Sequence, residues 1–185
     1  FSLGLGLSVR PSLTAGGGVP APKAGFEEAH DASLDITKTL GANTLAAFTV
    51  NTDFAETEVD TRRTNLTRFP IVFPEKRTFF LQGADIFDFG LGTGDDVRPF
   101  FSRRIGLLSG NEVPIQAGLK VSGRGRGANV GALVLHTGDI DDREALGLPQ
   151  TSSTMGVLRV RQNALRESSV GMLATFGDPL GRAGS

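Results

Sequence analysis

The sequence predicts an all-β fold, an antiparallel up-and-down meander, and three observations favour it. Among its 185 residues the chain has 25 Gly and 9 Pro, a content that suits many strands joined by turns better than helices. Apolar residues alternate with polar residues or glycine in several segments, as in strands whose two faces meet different surroundings. The connections between these segments are alternately short and long. One meander accounts for all three observations.

Seven segments are predicted as strands because apolar residues alternate with polar residues or glycine in each. The alternation is more regular in some segments than in others. In chain order they are Leu3 to Val9, Asp31 to Thr37, Thr44 to Asp53, Ile115 to Ser122, Ala128 to His136, Thr154 to Gln162 and Ser168 to Phe176. The fourth is the most regular, because Ile115, Ala117, Leu119 and Val121 alternate with Gln116, Gly118, Lys120 and Ser122. The third is the least regular.

The connections between the strands favour a membrane barrel over a sandwich. The short ones are Leu40 to Asn43, Gly123 to Gly127 and Asn163 to Glu167, and the long ones are Pro11 to His30, Phe54 to Pro114 and Thr137 to Ser153. Strict alternation places all the long connections at one end of the sheet, which is typical of outer-membrane β-barrels. Because such bacterial barrels close with an even number of strands, seven strands predict either a miscounted strand or a partial barrel that continues beyond this segment. Residues 1–185, which begin with Phe1, are expected to be one incomplete domain of a longer protein.

Composition excludes several other classes. A formal net charge of -1 gives no electrostatic footprint for nucleic acid, so nucleic acid is not an expected partner. The longest aliphatic run, Ala132 to Leu135, is far below the roughly 20 residues of a membrane-spanning helix. The absence of Cys removes disulfides, thiolate catalysis and sulfur-ligated metals. The absence of Trp and Tyr removes the usual interfacial girdles, so a soluble β-rich module stays open.

A resemblance to a known family rests on the middle of the chain. The segments that carry it are Asn51 to Asp60, Asn65 to Phe69 and Phe73 to Phe87, with shorter matches at Phe101 to Gly106, Val113 to Ile115, Gly118 to Lys120, Gly123 with Arg124, and Thr137 to Asp139. They resemble a family of uncharacterised bacterial proteins whose C-terminal region forms an outer-membrane β-barrel. In that family the barrel typically follows a domain like the family-9 carbohydrate-binding modules, and such a module is absent from this chain.

The resemblance implies a location and a role. It implies a non-enzymatic protein of the bacterial outer membrane, in contact with its lipid, that serves glycan binding or transport in the cell envelope. Glycan would be bound through the domain that this chain lacks. A soluble β-rich, carbohydrate-associated binding module is the first alternative, and a glycoside hydrolase is the second.

The long connection over residues 54–114 is expected to pack on itself as a cap or plug, because a structureless connection of this length is unusual in a compact domain. A short helix is predicted from Thr61 to Phe69, ending before Pro70. The apolar core expected for the cap is Phe69, Phe73, Phe79, Phe80 and Phe87, with Phe89 beside them. A local minicore without a functional role is the alternative.

A charge network is expected in the same connection. Glu56, Glu58 and Asp60 alternate, so on an extended chain their carboxylates face one way and attract basic partners. Glu75, Lys76 and Arg77 are expected to meet opposite charges from these acids or from Arg103 and Arg104, and Arg68 completes the network. A solvated loop or a metal site are the alternative readings of the three acids.

Catalytic motifs and cofactor motifs are not found in the sequence, so an enzyme, a metal and a cofactor are not expected. His30 and His136 lie far apart, and neither a Gly-x-Ser-x-Gly elbow nor a His-Glu-x-x-His pair occurs. Glu56 and Asp85 are a conceivable carboxylate pair for a glycosidase. Two further clusters have simpler readings, Asp139, Asp141 and Asp142 as an external loop and Gly123 to Gly127 as a hairpin turn.

Overall fold

The computed structural model describes residues 4, 6–18, 27–52, 75, 77–87, 100–108, 111–140, 152–164 and 168–177. One seven-stranded sheet dominates the described residues, and every strand is antiparallel to its neighbours. In sheet order its strands are β1 (Leu7–Gly18), β2 (Glu27–Leu40), β3 (Thr44–Val50), β6 (Ile115–Arg124), β7 (Ala128–Thr137), β8 (Ser153–Ala164) and β9 (Ser168–Phe176). The predicted up-and-down meander is confirmed. The sheet is not closed into a barrel, because β1 and β9 are not paired with each other.

The chain between β3 and β6 contains short elements only, as far as the structure describes it. They are helices α1 (Thr78–Leu81) and α2 (Ala84–Phe87), the 3-10 helix η1 (Ser102–Arg104), and the strands β4 (Leu107–Leu108) and β5 (Asn111–Glu112). β4 and β5 pair with each other in a second, two-stranded sheet. The helix predicted from Thr61 to Phe69 lies outside the described residues.

The first hairpin corrects the sequence prediction. The expected long connection from Pro11 to His30 is wrong, because β1 continues to Gly18 and β2 already begins at Glu27, paired without interruption. Arg10, Pro11 and the glycines that follow interrupt the alternation by which strands are recognised. Pro11 is tolerated because β1 is an edge strand, where one backbone N–H is not needed for pairing.

The tight turns lie at one end of the sheet, as predicted. They join β2 to β3, β6 to β7 and β8 to β9, while β1 and β2, β3 and β6, and β7 and β8 are joined at the other end. Gly41 has a φ of +68°, a left-handed conformation that suits glycine at this turn. In the second turn the Gly125 N–H donates to the Ala128 carbonyl oxygen at 2.7 Å, so the hairpin predicted at Gly123 to Gly127 is confirmed.

The two faces of the sheet differ in what covers them. On one face, here called the covered face, α1 and α2 pack against the middle strands, and the buried cluster there includes Ala47, Leu133, Leu135, Met155 and Val157. The opposite face, here called the exposed face, presents side chains that are 37% exposed or more at Val50, Phe48, Leu119, Val134 and Leu158. No helix among the described residues has the length and apolar character needed to span a membrane.

Candidate functional site

The candidate site is the junction between the covered face and the residues from Arg77 to Phe87, here called the helical segment. Glycines in the sheet make room for it. A methyl group built on Gly131 would lie 2.7 Å from Ile86 Cγ2 and 2.9 Å from Phe87 Cζ. A methyl group on Gly118 would meet Leu135 Cδ2 at 2.5 Å, so the sheet has no space for a side chain at either position.

Aromatic rings form the apolar part of the junction. Phe79, Phe80 and Phe87 are each buried, and Phe79 and Phe80 meet edge to face with centroids 5.1 Å apart. Phe100 joins them from the following chain, 5.9 Å from Phe87. Burial of rings of this size contributes most of the apolar stabilisation available to two helices of four residues each.

A bidentate ion pair anchors the start of the helical segment. Arg77 Nε donates to Glu75 Oε1 and Arg77 Nη2 donates to Glu75 Oε2, each at 2.8 Å. The same guanidinium donates to the carbonyl oxygens of Ser102 and Ile105, also at 2.8 Å, and lies 4.2 Å from the Phe80 ring centroid. The pair therefore ties the helical segment to the chain around η1.

The environment of Glu75 combines burial with donated hydrogen bonds. Burial on its own would raise the pKa of Glu75, but the hydrogen bond and positive charge of Arg77 outweigh it, and the pKa is lowered from 4.5. The Ser102 hydroxyl contributes in the same direction by donating to Oε2 at 2.7 Å. Because the side chain is only 11% exposed, Glu75 is a partly desolvated carboxylate whose charge is satisfied.

Lys120 is the second anchor, and it comes from the sheet. Its side chain is only 2% exposed, and Nζ donates to the Phe79 carbonyl oxygen and, at 2.5 Å, to the Gln82 carbonyl oxygen. Nζ also lies 5.0 Å from the Phe79 ring centroid. Burial lowers the pKa of Lys120 to about 8, and the negative charge of Glu75 partly opposes that shift.

Polar groups continue beyond the helical segment on both sides of the covered face. Towards β1, Thr49 Oγ1 donates to Asp35 Oδ1 at 2.6 Å and lies 3.0 Å from Thr52 Oγ1. Towards β9, Arg159 Nη1 donates to the carbonyl oxygens of Val160 and Met172. The covered face is thus apolar at its centre and polar towards both edges.

The described residues hold only part of the predicted network. Phe79, Phe80 and Phe87 lie together, Glu75 pairs with Arg77, and Arg103 is buried with 8% exposure. The remaining predicted members lie outside the described residues or have undescribed side chains; they are Glu56, Glu58, Asp60, Arg68, Phe69, Phe73, Lys76 and Arg104. Contacts of Glu75 and Arg77 with Glu56, Glu58, Asp60, Arg103 or Arg104 stay a prediction.

Sequence reasoning missed Lys120 as a site residue. Alternation placed it in the polar set of its strand, which normally faces solvent, yet it is among the most deeply buried side chains. Among the residues that the structure describes, no group of three His, Asp or Glu side chains is placed to bind a metal ion.

The fold and the junction define a β-rich domain in which an inserted segment packs on one sheet face. Residues 34–123 match the model of a family described as a domain of unknown function, DUF5916. The matched region includes Glu75, Arg77, the helical segment and Lys120, so it contains the residues that anchor this segment to the sheet. Comparison with curated proteins and with solved structures found no match.

Proposed function

We propose that this chain is a segment of a non-enzymatic outer-membrane β-barrel of the bacterial cell envelope. In this proposal the exposed face contacts lipid, and the helical segment is part of a plug on the inner side of the wall. A role in glycan binding or transport is proposed from the family resemblance of residues 31–176. The polarity of the two sheet faces carries the membrane part of the proposal.

A central row of the exposed face is apolar from one edge of the sheet to the other. One row of paired positions crosses all seven strands; its members are Val9, Ile36, Phe48, Leu119, Val134, Gly156 and Phe176. Five of them are large apolar side chains with exposed fractions from 39% to 55%. In a water-soluble sheet the apolar side of the pleat is normally the one that is covered.

The covered face differs because it carries polar and charged side chains as well as the apolar centre on which the helical segment packs. Positions that alternate with the apolar row include Arg10, Asp35, Thr49, Lys120 and Arg159. A membrane barrel has this distribution, with apolar residues towards lipid and polar residues towards an interior that a plug can fill. The exposed row is also long, and a contiguous apolar patch of this extent on a protein surface indicates a contact with a membrane or another apolar partner.

The two edges of the sheet agree with this proposal. Within the described residues β1 and β9 each pair with one neighbour only, which leaves a row of backbone N–H and C=O groups on each. Unpaired backbone groups in hydrocarbon are costly, so in a membrane both edges require further strands. A wall of a larger barrel would provide them.

The proposal is tested by mixing the purified chain with phosphatidylethanolamine and phosphatidylglycerol vesicles and separating bound from free protein by flotation. We expect the chain to float with the vesicles, to retain β circular dichroism, and to require detergent when vesicles are omitted. A monodisperse monomer that unfolds cooperatively in plain buffer and stays out of the vesicle fraction would refute the proposal and favour the soluble β-rich binding module.

A further inference from the structure

We propose that a pocket between the helical segment and the tight-turn end of the sheet binds a small, water-soluble oxyanion, with Arg124 as its principal ligand. The pocket has a volume of about 250 Å³. Its lining residues come from β2, β3, β6, the first tight turn and the helical segment, and they are Thr39, Ala42, Asn43, Thr44, Leu45, Gly83, Ile86, Ser122 and Arg124.

Local backbone geometry creates the pocket. Gly83 has a φ of +69°, and a methyl group on it would lie 2.8 Å from Ser122 Oγ, so the helical segment approaches the sheet closely here. On the opposite side the Arg124 N–H donates to the Asn43 carbonyl oxygen at 2.9 Å, which joins the first two tight turns. One wall is therefore fixed by a backbone hydrogen bond and the other by the close approach of Gly83 to the Ser122 side chain.

The lining is rich in hydrogen-bond donors. Arg124 supplies a guanidinium, Asn43 supplies an amide, and Thr39 and Ser122 supply hydroxyl groups, while the Thr44 side chain lies on the exposed face beside Gly123. Among the residues that the structure describes, neither Asp nor Glu lines the pocket. A guanidinium with neutral donors around it suits the oxygens of phosphate, sulfate or a carboxylate, which accept charge-assisted hydrogen bonds.

The Arg124 guanidinium pairs with a carboxylate of the same chain. Arg124 Nη2 donates to Asp85 Oδ2, and the two side chains are 54% and 67% exposed. An exposed ion pair of this kind is weak, so a ligand can displace Asp85 at little cost. Asp85 is thus a competitor for the same group that would hold the anion.

The position of the pocket argues for a solute. Thr39, Leu45, Ser122 and Arg124 belong to the covered side of the pleat, opposite the apolar row that we assign to lipid. The inference therefore does not rest on membrane insertion, and it can be tested in nonionic micelles or in buffer, whichever keeps the chain folded.

Calorimetric titration with inorganic phosphate at constant ionic strength tests the inference, with sodium chloride as the reference titrant. Three variants separate the pocket from general charge effects. Arg124→Gln should weaken phosphate binding by about tenfold or more. Asp85→Asn should tighten it by about two- to fivefold, because the competing carboxylate is removed. Arg126→Gln makes the same charge change at an exposed residue of the neighbouring turn and should have little effect.

The inference is overturned if phosphate at millimolar concentration gives no saturable heat, or if Arg124→Gln and Arg126→Gln weaken binding equally. It is also overturned if Asp85→Asn leaves the affinity unchanged. Circular dichroism of each variant checks that the fold is retained, and a folded Arg124→Gln protein that still binds phosphate like the parent contradicts the assignment of Arg124.

Discussion

Lys120 Nζ donates a 2.5 Å hydrogen bond to the carbonyl oxygen of Gln82, which joins the middle strand of the sheet to the backbone at the end of α1. A second bond from the same Nζ to the Phe79 carbonyl oxygen completes a clamp on the helical segment. Because Lys120 bonds backbone carbonyl oxygens, these hydrogen bonds do not depend on the side chains at positions 79 and 82. The clamp therefore fixes the position of the segment while its side chains pack elsewhere.

Protonation of Lys120 should make stability depend on pH in the alkaline range. Its folded pKa of about 8 lies below the ordinary 10.5, so between these values the unfolded chain binds more protons and the free energy of unfolding rises with pH. The contribution is roughly 2–3 kcal/mol across the window. Urea unfolding from pH 7.5 to 10.5 should show this rise in the parent and in Lys38→Met, an exposed control, and lose it in Lys120→Met. Equal slopes in all three proteins would contradict the assignment of this pH dependence to Lys120.

Removal of the Glu75 charge should destabilise the start of the helical segment. Glu75→Gln leaves the Arg77 guanidinium, which is 3% exposed, without its carboxylate, and breaking a buried pair in this way costs about 3–5 kcal/mol. Asp85→Asn removes an exposed pair and should cost about 0–1 kcal/mol. Urea midpoints at pH 7 give both values, and similar small losses in the two variants would show that the Glu75 pair is effectively solvated.

Acid should remove the stabilisation that the ionised Glu75 carboxylate provides. Because the folded pKa of Glu75 is lowered below 4.5, its stabilisation is present above that value and is lost as the pH falls towards the folded pKa. We expect the parent to lose stability in this range more steeply than Glu75→Gln. Midpoint denaturant concentrations measured at descending pH compare the two slopes directly, and parallel curves would contradict the expectation.

A methyl group at Gly131 should displace the helical segment. Gly131→Ala introduces Cβ at 2.7 Å from Ile86 Cγ2, and overpacking of this kind costs about 1–3 kcal/mol. The matched control is Gly127→Ala, since nothing lies within 4 Å of that position. Chymotrypsin cleavage after Phe79, Phe80 or Phe87 should accelerate in Gly131→Ala alone. Unchanged cleavage would mean that the segment adapts without loosening.

An arginine on the exposed face should oppose membrane insertion. Leu119 is 51% exposed in the apolar row, and Arg near the middle of a bilayer costs about 2–4 kcal/mol in membrane barrels. Thr175 is exposed on the opposite side of the pleat, so Thr175→Arg is the control. Vesicle flotation should fall for Leu119→Arg and be preserved for Thr175→Arg. Equal behaviour would argue against a lipid contact of this face.

Much of the sheet could be predicted because β6 to β9 alternate regularly and their pairing follows chain order. Alternation assigns residues to two faces, but it does not tell which face another segment covers. Lys120 is the instructive case, since its burial depends on the helical segment, which contacts it from far away in sequence. The ion pair between Glu75 and Arg77 could have been predicted, because side chains two residues apart on an extended backbone lie on the same side.

The pairing of β3 with β6 has a kinetic consequence. Every other neighbouring pair in the sheet is joined by a much shorter stretch of chain, whereas residues 51–114 separate these two strands. Closing that loop costs roughly 2–3 kcal/mol more than closing a three-residue turn, by the logarithmic dependence on loop length. The strands β1 to β3 and the strands β6 to β9 can therefore form early as two independent units. The pairing of β3 with β6 then joins the two units last. The helical segment lies in the long connection between β3 and β6. The connection that slows the pairing of these two strands therefore also contributes the contacts that cover the sheet once they have paired.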